Sequence, residues 1–101
     1  MYGLEKETVE KIKRVFARHP EVETAILYGS RAKGNFKPGS DIDLALTGDG
    51  LDLKLLNRIS LDIDDLFLPY TFDFSIYHHI ANSDLLDHIE RVGAVFYKKE
   101  R

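Results

Sequence analysis

The chain has 101 residues and a mass of 11.6 kDa, and with 44% hydrophobic residues it can bury one modest core, so a single domain over residues 1–101 is expected. Fourteen Lys and Arg against seventeen Asp and Glu give a net charge of -3, which disfavours coating or direct binding of nucleic acid. The absence of cysteine excludes disulfides, thiolate zinc sites and a cysteine nucleophile, and leaves oxygen or imidazole as the ligands for any metal.

From Leu4 to Arg18, Val9, Ile12, Val15 and Phe16 recur at helical spacing among charges, and His19-Pro20 ends the run. Thr24 to Tyr28 is short and apolar, which predicts a buried strand, and the Gly-Ser that follows would open a short helix. Asp41 to Thr47 reads as a second strand. After it, Leu53, Leu56, Ile59, Ile63, Leu66 and Phe67 repeat at three- and four-residue steps and predict a long helix with an apolar stripe. Thr71 to Tyr77 reads as a third strand. Asn82 and Ser83 offer caps for a last helix that carries Leu85, Leu86, Ile89 and Val92 inward; Gly93 ends it before a short strand from Ala94 to Tyr97. Strands alternating with helices in so short a chain predict the α/β (α+β) class, a small mixed β-sheet with helices covering one face. No run approaches the ~18 apolar residues of a membrane span. The first residues also lack the basic-then-apolar pattern of a secretory signal, so a soluble, cytoplasmic protein is expected.

Side chains alternate along a strand, so Ile42, Leu44 and Leu46 should face one way and Asp41, Asp43, Ala45 and Thr47 the other. The third strand repeats the pattern, with Phe72, Phe74 and Ile76 opposite Thr71, Asp73, Ser75 and Tyr77. If the two strands are neighbours, Asp41, Asp43 and Asp73 converge, and three like charges at close range call for a cation. Hard oxygen ligands without thiolate or a paired His suit Mg²⁺, or Mn²⁺, which take further ligands from substrate phosphates. The bland reading of an isolated Asp-x-Asp is a solvated half-exposed strand.

Upstream lies Tyr28-Gly29-Ser30-Arg31-Ala32-Lys33-Gly34-Asn35. Gly29 permits close backbone approach, Ser30 offers a hydroxyl, free backbone N–H groups attract phosphate, and Arg31 and Lys33 add positive charge. This is not the P-loop, since Gly-x-x-x-x-Gly-Lys is absent, and a Gly-Ser pair by itself usually marks an ordinary strand-to-helix turn.

The combination is more specific than its parts. Gly29-Ser30, ten intervening residues, then Asp41-Ile42-Asp43-Leu44, with a later strand Asp73, resembles the signature of the DNA polymerase β-like nucleotidyltransferase superfamily. The Gly-Ser-Arg-Ala-Lys-Gly form and the short chain are similar to its minimal nucleotidyltransferases, over roughly Thr24 to Tyr77. The resemblance implies an enzyme using ATP and two Mg²⁺ ions. In it Asp41 and Asp43 would bridge both ions, Asp73 would complete one metal site beside the incoming hydroxyl, and Gly29, Ser30 and Arg31 would hold the β- and γ-phosphates. No activated Ser or Cys is needed, because the acceptor supplies the nucleophile. Members are often encoded beside a HEPN-domain protein, and some act as antitoxins that transfer AMP from ATP to a tyrosine of that toxin. The implied partner is therefore a HEPN toxin, held in a hetero-oligomer.

Other residues carry two readings. Lys33 either touches phosphate or is a surface charge, and Ser40 either binds nucleotide or shapes the turn after Pro38-Gly39. Asp62, Asp64 and Asp65 fall on a helix and read as a solvated face; His19 and His88 read as solvated, His78-His79 as a strand end, and Tyr28 as packing or pocket lining. Two alternative functions remain beside protein adenylylation: a small-molecule nucleotidyltransferase, and a non-catalytic antitoxin that binds its toxin stoichiometrically. Excess apolar residues between Leu51 and Phe67 and in Ala94-Val95-Phe96-Tyr97 offer a partner surface.

Overall fold

A computed structural model describes residues 1–100. The elements follow the expected order: α1 (Lys6–Ala17), β1 (Thr24–Tyr28), the single-turn α2 (Ser30–Lys33), β2 (Ile42–Thr47), α3 (Leu53–Asp64), β3 (Phe72–Ile76), a 3₁₀ turn (Tyr77–His79), α4 (Ser83–Val92) and β4 (Ala94–Lys98). They form a small mixed sheet in the order β3-β2-β1-β4, in which β1 is antiparallel to both β2 and β4 while β2 and β3 run parallel.

Alternation in the strands builds two unequal faces. Ala25 and Leu27 of β1 and Ile42, Leu44 and Leu46 of β2 are completely buried, in one cluster with Val9, Ile12, Val15 and Phe16 of α1 and Ile59 and Ile63 of α3. Two amphipathic helices thus seal one side of the sheet, and the Phe16 ring meets Phe74 edge-on at 6.4 Å between centroids. The intervening residues Ile26, Tyr28 and Ala45 join Ile89 and Leu85 of α4, with Tyr77 and Ile80, in a second, smaller cluster. Helices therefore cover both faces, not one. Helical periodicity shows which side of α4 is apolar but not which side of the sheet it lands on.

Local chemistry sets the ends of the elements. Asp52 caps α3 by accepting from Leu55 N at 2.8 Å, and Asn82 caps α4 by accepting from Asp84 N and Leu85 N at 2.9 and 3.2 Å. α3 stops at Asp64, short of its expected end. Phe67 takes a left-handed φ of 53° and is 89% exposed, and Leu53 is 65% exposed, so the stripe that meets the core is Leu56, Ile59, Ile63 and Leu66. Two residues read as solvated in fact pair: His19 Nε2 lies 2.7 Å from Asp62 Oδ2, tying the end of α1 to α3. Asp64 and Asp65 are exposed as expected. Among the described residues no helix is long and apolar enough to cross a membrane.

Candidate active site

Because β1 is antiparallel to β2 and β2 is parallel to β3, the end of β1 and the beginnings of β2 and β3 meet at one edge of the sheet. The register places Tyr28 opposite Asp43 and Asp43 opposite Asp73, so the two carboxylate-bearing residues share a face. Asp41 precedes β2 by one residue, exposed, while Asp43 is half-buried.

The turn after β1 is built against this acidic pair. Gly29 has φ 76° and ψ −157°, a backbone state essentially reserved for glycine, and a Cβ there would run into the carboxylate of Asp43. Gly29 is thus what lets the Asp43 carboxylate lie directly on the main chain. Its carbonyl accepts from Lys33 N at 3.1 Å and its N–H donates to Nε2 of His88 at 3.1 Å. Ser30 follows as the first residue of α2, half-exposed beside the acids.

Electrostatics at this edge is that of crowded anions. Burial first, then the charges of Asp73 and Asp41, pushes the Asp43 carboxyl above the usual carboxylate range. Burial likewise raises the Tyr28 hydroxyl; a hydrogen bond with Ser75 opposes the shift and the charges of Asp73 and Asp43 add to it. Among the described residues no three Asp, Glu, His or Cys side chains close into a ready metal cage, so the expected convergence of Asp41, Asp43 and Asp73 is a shared edge, not a preformed nest. That fits a Mg²⁺-type ion nonetheless. Such an ion is commonly held by one or two carboxylates plus waters and substrate phosphates, and the donors here are hard oxygens whose mutual repulsion a cation relieves.

Two residues expected at the nucleotide point elsewhere. The Arg31 guanidinium is 3% exposed; Nε and Nη2 donate to Ser40 O at 3.1 and 2.9 Å, Nη1 donates to Tyr2 O at 2.9 Å, and the Phe36 and Tyr70 rings lie 5.2 and 5.1 Å from its carbon. In this position the Arg31 guanidinium is committed to main-chain carbonyls. It pins the 29–43 loop to the N-terminal segment. Ser40 belongs to the same scaffold, since its Oγ accepts from Lys37 N at 2.8 Å and closes the turn through Pro38-Gly39, the second of its two readings. Lys33 is exposed and stays available to a ligand.

His88 was missed. Its ring is half-buried, sits edge-on to Tyr28 at 6.2 Å, and reaches the Gly29 turn from α4. The signal was present: residue 88 is three after Leu85 and one before Ile89, on the border of the apolar stripe, and that stripe is what α4 turns toward the sheet.

Residues 10–101 match the family model described as "Polymerase beta, Nucleotidyltransferase". A crystal structure of a toxin–antitoxin with AMP-PNP superposes with a TM-score of 0.70 at 19% identity, covering 96% of this chain and 76% of that one. A crystal structure of the toxin–antitoxin MntA-HepT superposes with a TM-score of 0.69 at 16% identity, covering 94% and 74%. At such identities the likeness is one of fold. No curated protein matches the chain.

Proposed function

The chain belongs to the polymerase beta nucleotidyltransferase family, and from that membership we propose that it is a Mg²⁺-dependent enzyme that transfers AMP from ATP to a hydroxyl, a tyrosine, of a HEPN-domain toxin, and thereby acts as the cytoplasmic antitoxin of that partner in a hetero-oligomer. The observation that carries this reading is the register pair Asp43–Asp73, with Asp41 at the same edge and the Asp43 carboxylate seated on Gly29. Resemblance in fold to toxin–antitoxin structures, one of them with AMP-PNP, supports the choice of acceptor and nucleotide.

Transfer of a nucleotidyl group asks the protein chiefly for positioning and charge neutralisation. Asp41 and Asp43 would hold two divalent ions and Asp73 one of them; when bound, these ions offset the charge of the triphosphate and polarise its oxygens. The backbone at Gly29 and Ser30, with the Ser30 hydroxyl and the Lys33 ammonium, orients the β- and γ-phosphates. The acceptor oxygen attacks the α-phosphorus, the bond to the bridging oxygen breaks, pyrophosphate leaves, and Asp73 is placed to take the hydroxyl proton. The solvent-exposed position of Asp73 and Asp41 leaves this edge open to a macromolecular acceptor. Residues 1–101 act as one domain in this scheme, with nothing assigned to a separate acceptor-binding unit.

The test is intact-mass spectrometry of a co-encoded HEPN-domain protein after incubation with this chain, ATP and Mg²⁺. A gain of one or more AMP units is expected, and Asp41→Asn with Asp43→Asn should reduce it well beyond the ~10–100-fold typical of supporting residues. A stable complex without any mass gain would replace transfer by stoichiometric binding.

A further inference from the structure

The Gly29-Ser30 turn is held in a backbone state that glycine adopts freely and other residues do not, so what fixes it in place is its hydrogen bonds. The restraints can be named. On one side the Gly29 carbonyl is tied into α2 by Lys33 N. On the other, the Gly29 N–H donates across the fold to Nε2 of His88, 59 residues later in the chain. His88 is itself fixed: α4 is capped by Asn82 and anchored by Leu85 and Ile89 against Tyr28 and Ala45, and the Tyr28 ring stands edge-on to the imidazole. α4 therefore does more than close the second core. Through one imidazole nitrogen it sets the height of the turn against which the Asp43 carboxylate rests.

We infer that His88 is a positioning residue of the nucleotide site, an acceptor on α4 that fixes the Gly29-Ser30 turn so that Ser30 and Asp43 keep their mutual placement when a triphosphate binds. The inference rests on the nucleotidyltransferase reading of this edge. Because Nε2 accepts, the neutral ring carries its proton on Nδ1. Without an acceptor at this point the Gly29 N–H loses its partner, and the loop is free to relax away from the carboxylates.

Two variants separate this role from packing. His88→Leu keeps bulk against Tyr28 and removes the acceptor; His88→Gln places an oxygen where Nε2 stood. Binding of AMP-PNP with Mg²⁺, measured by titration calorimetry, should weaken about tenfold or more in His88→Leu and stay within about threefold of wild type in His88→Gln. Thermal denaturation of both variants checks that they are folded at the temperature of the titration. Amide exchange read by NMR should show the Gly29 N–H protected in wild type and His88→Gln and exposed in His88→Leu. If Leu and Gln variants bind equally well, or the Gly29 amide exchanges alike in all three proteins, the positioning role is wrong while the nucleotide site stands. If wild type itself fails to bind AMP-PNP, the reading of the site falls and the inference with it.

Discussion

The two faces of the sheet are made by alternate residues of the same strands, yet they do opposite things. Leu44 is completely buried beneath α1 and α3, whereas Asp43, its neighbour in sequence, sits half-buried at an edge that α4 only partly covers. The first face is lined chiefly by apolar side chains and is closed by two helices of 12 residues each; the second is closed by one helix of 10, which packs on Ala45 and Tyr28 and leaves Asp41 and Asp73 exposed. A fully sealed second face would bury like charges without partners, at a cost of several kcal/mol per ion. The chemistry and the incomplete covering are therefore one fact.

The sharpest break of this contrast is Phe16→Ala. Phe16 is among the largest completely buried side chains and touches Phe74 and Tyr97 on the sealed face, so its truncation should cost about 3–5 kcal/mol. Urea or guanidinium unfolding reads this directly, and a loss under about 1 kcal/mol would mean that the sealed face does not carry the fold. The double Asn substitution at Asp41 and Asp43, by contrast, should leave the fold intact.

Next in size is Arg31→Ala, which tests the division within the loop itself. Three N–H bonds to backbone carbonyls and two aromatic contacts disappear, leaving the Tyr2 and Ser40 carbonyls without their donor, a loss of about 1–3 kcal/mol. The melting temperature should fall by roughly 4–8 °C for each kcal/mol. Well below that temperature the affinity for AMP-PNP with Mg²⁺ should change little. A large affinity loss without a stability loss would return Arg31 to the phosphates.

Much of this was legible beforehand because the signals are local. Period-two alternation in β2 and β3 separates Asp43 and Asp73 from Ile42, Leu44 and Phe72, and β1 occupies the residues its apolar run predicts. What was not legible depends on partners remote in sequence. Arg31 sits in a basic stretch that looks like a phosphate site, and only the loop's return to Ser40 and the approach of Tyr2 supply the carbonyls that draw the guanidinium inward. His88 lies 59 residues from the turn it contacts. Phe67 continues a helical stripe in sequence but follows the last turn of α3, where a left-handed residue turns the chain away from the core.

The smallest effect is the most specific to the open face. In the metal-free protein the Asp43 carboxyl is raised by burial and by the charges of Asp73 and Asp41. A carboxyl whose folded value lies above its unfolded one favours the folded state in its protonated form; that contribution is fully present below the unfolded value, near 3.8, and is lost as pH rises through the folded value. At neutral pH the ionised Asp43 therefore opposes folding, so Asp43→Asn should melt higher than wild type in EDTA, with the difference shrinking toward pH 4. The group is partly exposed, so screening holds the gain below about 1 kcal/mol. Added Mg²⁺ should reverse the ranking, since an ion bound to the native state stabilises the protein that keeps the carboxylate. Calorimetric scans of both proteins from pH 4 to 8, with and without Mg²⁺, decide it: if Asp43→Asn melts no higher than wild type at neutral pH in EDTA, the acids are not in conflict and the second face is no different in kind from the first.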